Sequence, residues 1–346
     1  GGTKMAAEGF DLRYDLAGDA VMGIFPVVKA LPRIYDLMKR AEKALREERP
    51  DALVLVDYPG FNLRLAARAK ALGVPVVWYV APQVWAWGAW RLRKIARIVD
   101  RMLCILPFEP EIFRNAGIDA EYVGHPVVER ETAAPRDRAT ADALRLLRGD
   151  GPLIGVFPGS RGHVVDSLAP EFAAAAAALR KRVPNATFAV AVAQERFLNR
   201  ARAPFKDMAG VAFVVGRAPD VRDASDVVMT TSGTSTLEVA ASLTPFVVAY
   251  RVSPFFYFVA RSLMTVGHVG LVNLVAGKSV VPEYVGFRSA AAKIATDVER
   301  LWSDAPFREK QIEGLEGVRA RLDAKGSYAK AADAIASFVG GLPRRA

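Results

Sequence analysis

A carboxylate and a guanidinium stand at two points of this chain where the backbone leaves an apolar run. Asp57 closes Ala52-Leu53-Val54-Leu55-Val56, and Arg161 closes the loop Pro158-Gly159-Ser160-Arg161 that ends a run from Leu153. An aspartate so placed can take a proton from a hydroxyl, and it can equally start the turn Asp57-Tyr58-Pro59-Gly60; spacing alone favours the turn. Arg161 can pair with a diphosphate in a bidentate way and neutralise a leaving group. Its alternative is a solvated arginine, but a cation beside a helix start opposes the helix dipole, which favours the ligand reading. A second small-residue loop, Ser232-Gly233-Thr234-Ser235, follows Val227-Val228-Met229. Thr234 and the neighbouring amides can hold phosphate. Glu238, four residues on and on the same helix face, can then accept from ribose hydroxyls. Glu238 also lies at capping-box distance from Ser235, and the two readings balance.

Both loops read as a strand, a small-residue turn and the first turn of a helix. That arrangement directs free N–H groups and a positive dipole end at an anion. Gly159, Ser160, Ser232, Gly233 and Thr234 are the candidate contacts, beyond the carboxyl ends of the strands, where open α/β sheets bind ligands. Two such loops feeding one sheet edge imply a diphosphate, as in a sugar nucleotide.

The elements that position these residues alternate. In the first half, strands are expected at 52–56, which reads as buried and parallel, and at 74–80, 102–106 and 120–123. Helices are expected at 32–48, 63–72 (capped by Gly73), 90–100 and 110–116. The charged stretch 129–150 carries Pro135 and no strand. A second series has strands at 153–157, 186–193, 211–215, 227–230 and 246–252, and residues 310–338 read as helical with a break at Gly326. The alternation predicts an α/β fold of two doubly wound, Rossmann-like parallel sheets. The expected units are 1–148, 149–309 and a C-terminal helical segment, 310–346, that packs back on the first domain.

The 346 residues carry a formal net charge of +10, with one cysteine and three histidines. Two domains are the prior at this length. Cys104 alone excludes a disulfide framework and reads as a core residue. His125, His163 and His268 lie far apart without ligand spacing, which argues against a metal. No Walker loop, GxGxxG, HExxH or GxSxG motif occurs, which disfavours NTPases, dehydrogenases, zincins and serine hydrolases. The uncharged stretch 71–90 is long enough to span a bilayer, but its prolines and glycines break it into a strand and a loop.

That loop, Gln83-Val84-Trp85-Ala86-Trp87-Gly88-Ala89-Trp90, clusters three tryptophans. Arg93, Lys94 and Arg97 give the helix after it a basic face. Aromatics beside cations fit an anionic membrane surface. A solvated helix face is the commonest source of such a run. Nucleic acid is disfavoured, because no recognition signature accompanies the charge. Phe255-Phe256-Tyr257-Phe258-Val259 and Leu263-Met264 read as core or as part of an acyl-chain groove.

Several strings together resemble one family, the lipid-A-disaccharide synthases. They are Met5-Ala6-Ala7-Glu8-Gly9, Val21-Met22-Gly23, Asp57-Tyr58-Pro59-Gly60-Phe61-Asn62 and Pro82-Gln83-Val84-Trp85-Ala86-Trp87. Leu106-Pro107-Phe108-Glu109, Val123-Gly124-His125-Pro126, Pro158-Gly159-Ser160-Arg161, Ser232-Gly233-Thr234, Asn273-Leu274-Val275 and Val281-Pro282-Glu283 complete the set. The resemblance implies a GT-B glycosyltransferase that moves diacylglucosamine from UDP to the 6-hydroxyl of diacylglucosamine 1-phosphate (lipid X). It implies inversion to a β-1,6 disaccharide and no required metal or other cofactor. Asp57 and Arg161 match residues needed for activity, which raises Asp57 from turn former to general base. Asn62, Gln83 and Trp85 fall on the substrate side by the same match, and Asn273 and Glu283 on the donor-side loop. Trp87, Trp90, Arg93, Lys94 and Arg97 would meet acyl chains or the inner face of the inner membrane, with a cytoplasmic, peripheral location. A homodimer is left open.

Three departures accompany the match. The chain begins after the family's first strand and its Gly-Glu-Ala-Ser-Gly-Asp-like loop, Val272 replaces a proline, and Gly286 stands near a usual glutamine. Two alternatives therefore stand beside the synthase: a GT-B relative with another acceptor, and a non-catalytic binder of nucleotide sugar or membrane.

Overall fold

The computed structural model describes residues 1–14, 24–255, 257–258, 267–322 and 326–342, and the side chains of these except 3, 4, 24–31 and 87. Two parallel sheets organise them. The first has the order β1 (Leu53–Val56), β2 (Val76–Tyr79), β3 (Arg101–Cys104), β4 (Asp119–Tyr122). The second adds β5 (Leu153–Phe157), β6 (Thr187–Val192), β7 (Val211–Val215), β8 (Val227–Thr231), β9 (Phe246–Arg251) and β10 (Glu283–Gly286), in the order β10-β9-β8-β5-β6-β7. All pairings are parallel. Parallel strands need crossover connections, and helices supply them on both faces.

The inner strands are uninterrupted apolar runs because both of their faces are covered. Every residue of β5 and β8 is buried. β1 departs from the buried strand that its sequence suggests. It is an edge strand whose Val54 and Val56 are exposed, at 40% and 51%, while Leu55 faces the core. β10 has no long apolar run, since Glu-Tyr-Val-Gly sets only two apolar residues between a charge and a glycine, and it escapes a reading based on hydrophobicity.

Two helical expectations are corrected. The segment after β2 is not an open loop but a helical turn at Val84–Trp87 and a 3-10 turn at Ala89–Arg91. The helix expected at 90–100 shrinks to Leu92–Ile95. Buried Ile95, Ile98 and Val99 follow the turn inward and leave Arg93, Lys94 and Arg97 in solvent. The helix before β1 runs Ile24–Glu48, with Pro32 inside it. Residues 21 and 22 of the Val21-Met22-Gly23 string, with 23, fall outside the described residues, as do Phe256, Val259, Leu263 and Met264. Phe255 and Phe258, at 79% and 63% exposed, are not core.

The helices between the sheets, Val127–Ala133 and Arg138–Arg148, pack on the second sheet. Val127, Val128 and Leu144 share a core with Leu153, Val228 and Leu237, and Trp85 and Leu106 of the first sheet's loops join it. The last helix, Ser327–Gly340, starts after Gly326 in the left-handed region (φ +71°) and lays Ala331 and Ile335 on Val77, Leu103 and Val123. Cys104 is fully buried in β3. Among the described residues no helix is long and apolar enough to cross a membrane.

Candidate active site

Asp57 follows β1 in a strained turn. Asp57 and Tyr58 both sit in the left-handed region, at φ +45° and +47°, and Val80, beyond the end of β2, has φ +64°. Such conformations cost an L-residue on the order of 1–3 kcal/mol each, and they cluster at functional sites. Asn62 holds this turn: its Nδ2 donates to Val56 O (3.2 Å) and to Asp57 O (2.7 Å). Asn62 is buried, so it braces the backbone that presents Asp57. The Asp57 carboxylate is exposed and forms no ion pair among the described residues.

In the second sheet, β5 ends at Phe157 and a helix begins at Gly162. Gly159 has φ +112°, and a Cβ there would lie 2.8 Å from Val164 Cγ1. Only glycine fits. Arg161 is the N-cap residue, with no side-chain cap bond, and its guanidinium is exposed without a partner among the described residues. β8 ends at Thr231, and Gly233 starts the helix Thr234–Ala241 at φ +130°, ψ −159°, a region open essentially to glycine alone. No side chain caps this helix. Ser235 turns inward to Thr231 O (3.1 Å) and Thr236 to Gly233 O (2.7 Å), which leaves Thr234 exposed.

Glu238 makes no capping bond. It faces Arg130 at 3.5 Å, a contact that joins the connecting helix to the second sheet's loop. Burial, then the nearby Glu131, push its carboxyl above the usual range, against the opposing pull of Arg130 and Arg222. A carboxylate so poorly solvated accepts donors readily.

Asn273 and Glu283 are brought together directly. Asn273 is fully buried and makes four bonds: Nδ2 to Val281 O (2.9 Å) and Glu283 Oε1 (2.6 Å), with Oδ1 accepting from Val280 N (2.7 Å) and Val281 N (3.0 Å). Glu283 in turn accepts from Val269 N (3.0 Å) and Gly270 N (3.1 Å). The pair ties the turn before the helix Leu271–Ala276 to β10. Gly270 has no room for a Cβ, which would meet Glu283 Oε1 at 2.6 Å. Val272 is buried in that helix, and a Cβ on Gly286 would meet nothing within 4 Å. Gly286 and Glu283 line a cavity of about 460 Å³ with Tyr257 and Arg251.

The tryptophans separate. Trp85 is buried and donates from Nε1 to Glu109 Oε1 (3.1 Å), edge-on to Phe108 at 4.9 Å. Trp90 is 75% exposed and carries Arg91 over its ring at 5.0 Å. Gln83 is exposed. The Trp87 side chain is outside the described residues. Glu109, which the sequence offers only as part of a string, is 1% exposed and also accepts from Leu106 N (3.1 Å). Among the described residues no cation pairs with it, and burial raises its carboxyl to about 7. Its signal in the sequence is faint: an acid between Phe108 and Pro110, with a second acid, Glu111, two residues on.

Among the described residues the geometry thus offers an unpaired carboxylate on one sheet, an unpaired guanidinium on the other, and two glycine-built helix starts on the latter's sheet. The Lipid-A-disaccharide synthetase family model matches residues 1–336. The chain belongs to the lipid-A-disaccharide synthase family. The synthase of Myxococcus xanthus (strain DK1622) is 42% identical over 337 residues, 97% of this chain and 88% of its own length. That of Syntrophotalea carbinolica is 37% identical over 352 residues, 99% and 88% of the two chains. Among solved structures, UDP-GlcNAc 2-epimerase from Neisseria meningitidis bound to UDP-GlcNAc superposes with a TM-score of 0.63 at 12% identity, covering 96% of this chain and 87% of that one. The S. aureus MnaA–UDP co-structure gives 0.62 at 11%, covering 99% and 86%. These likenesses establish the fold, two Rossmann-like domains of GT-B type. As a lipid-A-disaccharide synthase family member, the chain is a hexosyltransferase that forms the lipid A disaccharide.

Proposed function

We propose that the donor is UDP-2,3-diacylglucosamine, that the acceptor is 2,3-diacylglucosamine 1-phosphate, and that Asp57 and Arg161 divide the charge work. The observation that carries this is the pair itself: two exposed, unpaired opposite charges, each on a turn whose backbone is locked by its neighbours. Asp57 takes the proton of the acceptor 6-hydroxyl as its oxygen attacks the anomeric carbon. The C1–O bond to the diphosphate breaks on the opposite face, which inverts the centre. Arg161, with the amides following Gly159 and Gly233, neutralises the departing UDP without a metal. Glu238 accepts from the ribose hydroxyls, and Asn273 with Glu283 fixes the turn beside the donor.

Both substrates carry acyl chains, so the enzyme works at the inner face of the inner membrane. Trp90, Arg93, Lys94 and Arg97 support that contact. The test is a mass-spectrometric assay of the disaccharide from the two diacyl sugars, with Asp57→Asn and Arg161→Ala in parallel. Product from the wild type and not from either variant supports the reading. Full activity in either variant overturns the assigned roles. Turnover with a different lipid acceptor only would point to another transferase, for which the opened space at Gly286 is the feature to pursue.

A further inference from the structure

His125 is a histidine that the proposed mechanism leaves unused, at the carboxyl end of β4. Gly124 before it is in the left-handed region at φ +94°, which turns the chain out of the strand. The ring is buried, with 6% of the residue exposed, and its Nδ1 accepts from Val127 N at 3.1 Å. An Nδ1 that accepts a backbone N–H carries no proton, so the neutral ring has its proton on Nε2. Burial, then the charge of Arg130, depress its basicity, to a pKa of about 4. The imidazole is thus a fixed N–H donor, neutral at working pH.

Nε2 has no hydrogen-bond partner among the described residues. It is also absent from the polar atoms sealed away from solvent without one, so part of the remaining exposed area is its own. The surroundings of His125 follow from the connecting helix, which begins two residues on and carries Arg130, whose charge the ring feels. Val127 and Val128 pack with Leu237, and Arg130 meets Glu238, both on the helix that opens with Ser232-Gly233-Thr234. His125 therefore stands where the first sheet's edge meets the donor loop of the second. Nothing in the fold requires an imidazole there. A side chain that only accepted from Val127 N would start the connecting helix equally well.

We propose that His125 Nε2 donates a hydrogen bond to an oxygen of the bound uridine diphosphate group, which makes His125 a further donor-binding residue. This rests on the sugar-nucleotide reading above. Two substitutions separate the distal donor from the local brace. In His125→Asn the amide oxygen can replace Nδ1 as acceptor for Val127 N, but nothing replaces Nε2–H. In His125→Gln the longer amide can restore a donor near the Nε2 position. One hydrogen bond to an anionic oxygen corresponds to roughly 10- to 100-fold in affinity.

The test is calorimetric titration of each full-length protein with UDP, alongside histidine ¹⁵N spectra of the wild type. The expected result is at least about 10-fold weaker UDP binding in His125→Asn and a smaller loss in His125→Gln. The His125 resonances, identified by their absence in His125→Asn, should show the Nε2–H tautomer and a shift of Nε2 on UDP addition. A brace alone would leave Nε2 unmoved by UDP. Equal affinity in wild type and His125→Asn, or an Nδ1–H tautomer, overturns the proposal. The titration does not depend on turnover: UDP binding by a wild type that makes no disaccharide would sink the proposed reaction and leave His125 testable.

Discussion

At the residue scale the sharpest expectation concerns charges that pay no structural role. Asp57 and Arg161 are exposed and lack ion-pair partners among the described residues, so removing either charge should spare the fold. Asp57→Asn should lower kcat by about 10²- to 10⁴-fold, the range for a positioned general base, with the Tm unchanged within error. Arg161→Ala should lower kcat/KM by about 10²-fold or more through the leaving group. A Tm drop of several degrees with either change would instead make the residue structural.

Glu109 and His125 pull stability in opposite directions with pH. Glu109 has its folded pKa raised to about 7 from 4.5, so the folded state holds the proton longer. Its contribution favours folding below 4.5 and is lost as pH rises through 4.5 to 7. His125, depressed to about 4 from 6.5, favours folding above 6.5 and loses that contribution as pH falls to 4. The wild type should therefore show a shallow profile where the windows overlap. Glu109→Gln should leave the His125 slope exposed, with stability rising from pH 4.5 to 6.5 by about 3 kcal/mol at most. Urea denaturation at pH 4.5, 6.5 and 8 checks it; parallel profiles for variant and wild type would rule out the burial argument.

At the element scale, much was legible because parallel strands advertise themselves. Buried β5 and β8 are plain apolar runs, and the loops after them announce helix starts through Gly159 and Gly233, whose backbone angles no other residue adopts cheaply. What escaped was set by tertiary contacts. β10 pairs with β9 although its own sequence lacks a strand pattern. The Trp85 segment coils into turns that bury the indole, whose N–H donates to the carboxyl of Glu109, 24 residues on. The resemblance put Asn273 and Glu283 on the donor-side loop, while their bond to each other was not legible. That bond carries its own prediction. Asn273→Ala strips partners from the Val280 and Val281 amides and from Glu283, so it should destabilise the protein by about 2–4 kcal/mol. Glu283→Gln, which keeps acceptor oxygen Oε1, should cost less. Chemical denaturation of both variants decides the order, and a larger loss for Glu283→Gln would contradict it.

For the whole molecule, the question is where a chain with a net charge of +10 places its excess. Arg93, Lys94 and Arg97 are exposed on one short turn beside Trp90, which is 75% exposed, and an exposed aromatic pair, Phe255 and Phe258, stands on the second domain. A lipid surface is the partner we expect for both features: anionic headgroups would attract the cations, and the rings would enter the interface. Each cation near such a surface contributes about 1 kcal/mol, so Arg93→Gln/Lys94→Gln/Arg97→Gln should weaken partition onto anionic vesicles by roughly 100-fold. The same triple variant should lose most of the salt dependence, since that dependence comes from screening of these charges as the Debye length shortens from about 10 Å at 0.1 M to about 3 Å at 1 M. Trp90→Ser should weaken partition while keeping the wild-type salt slope, because the ring contributes burial and not charge. Co-sedimentation with vesicles of anionic and of zwitterionic lipid separates these terms. Equal binding to both lipids, insensitive to salt, would remove the electrostatic contribution and leave the tryptophan and phenylalanines to carry the contact alone.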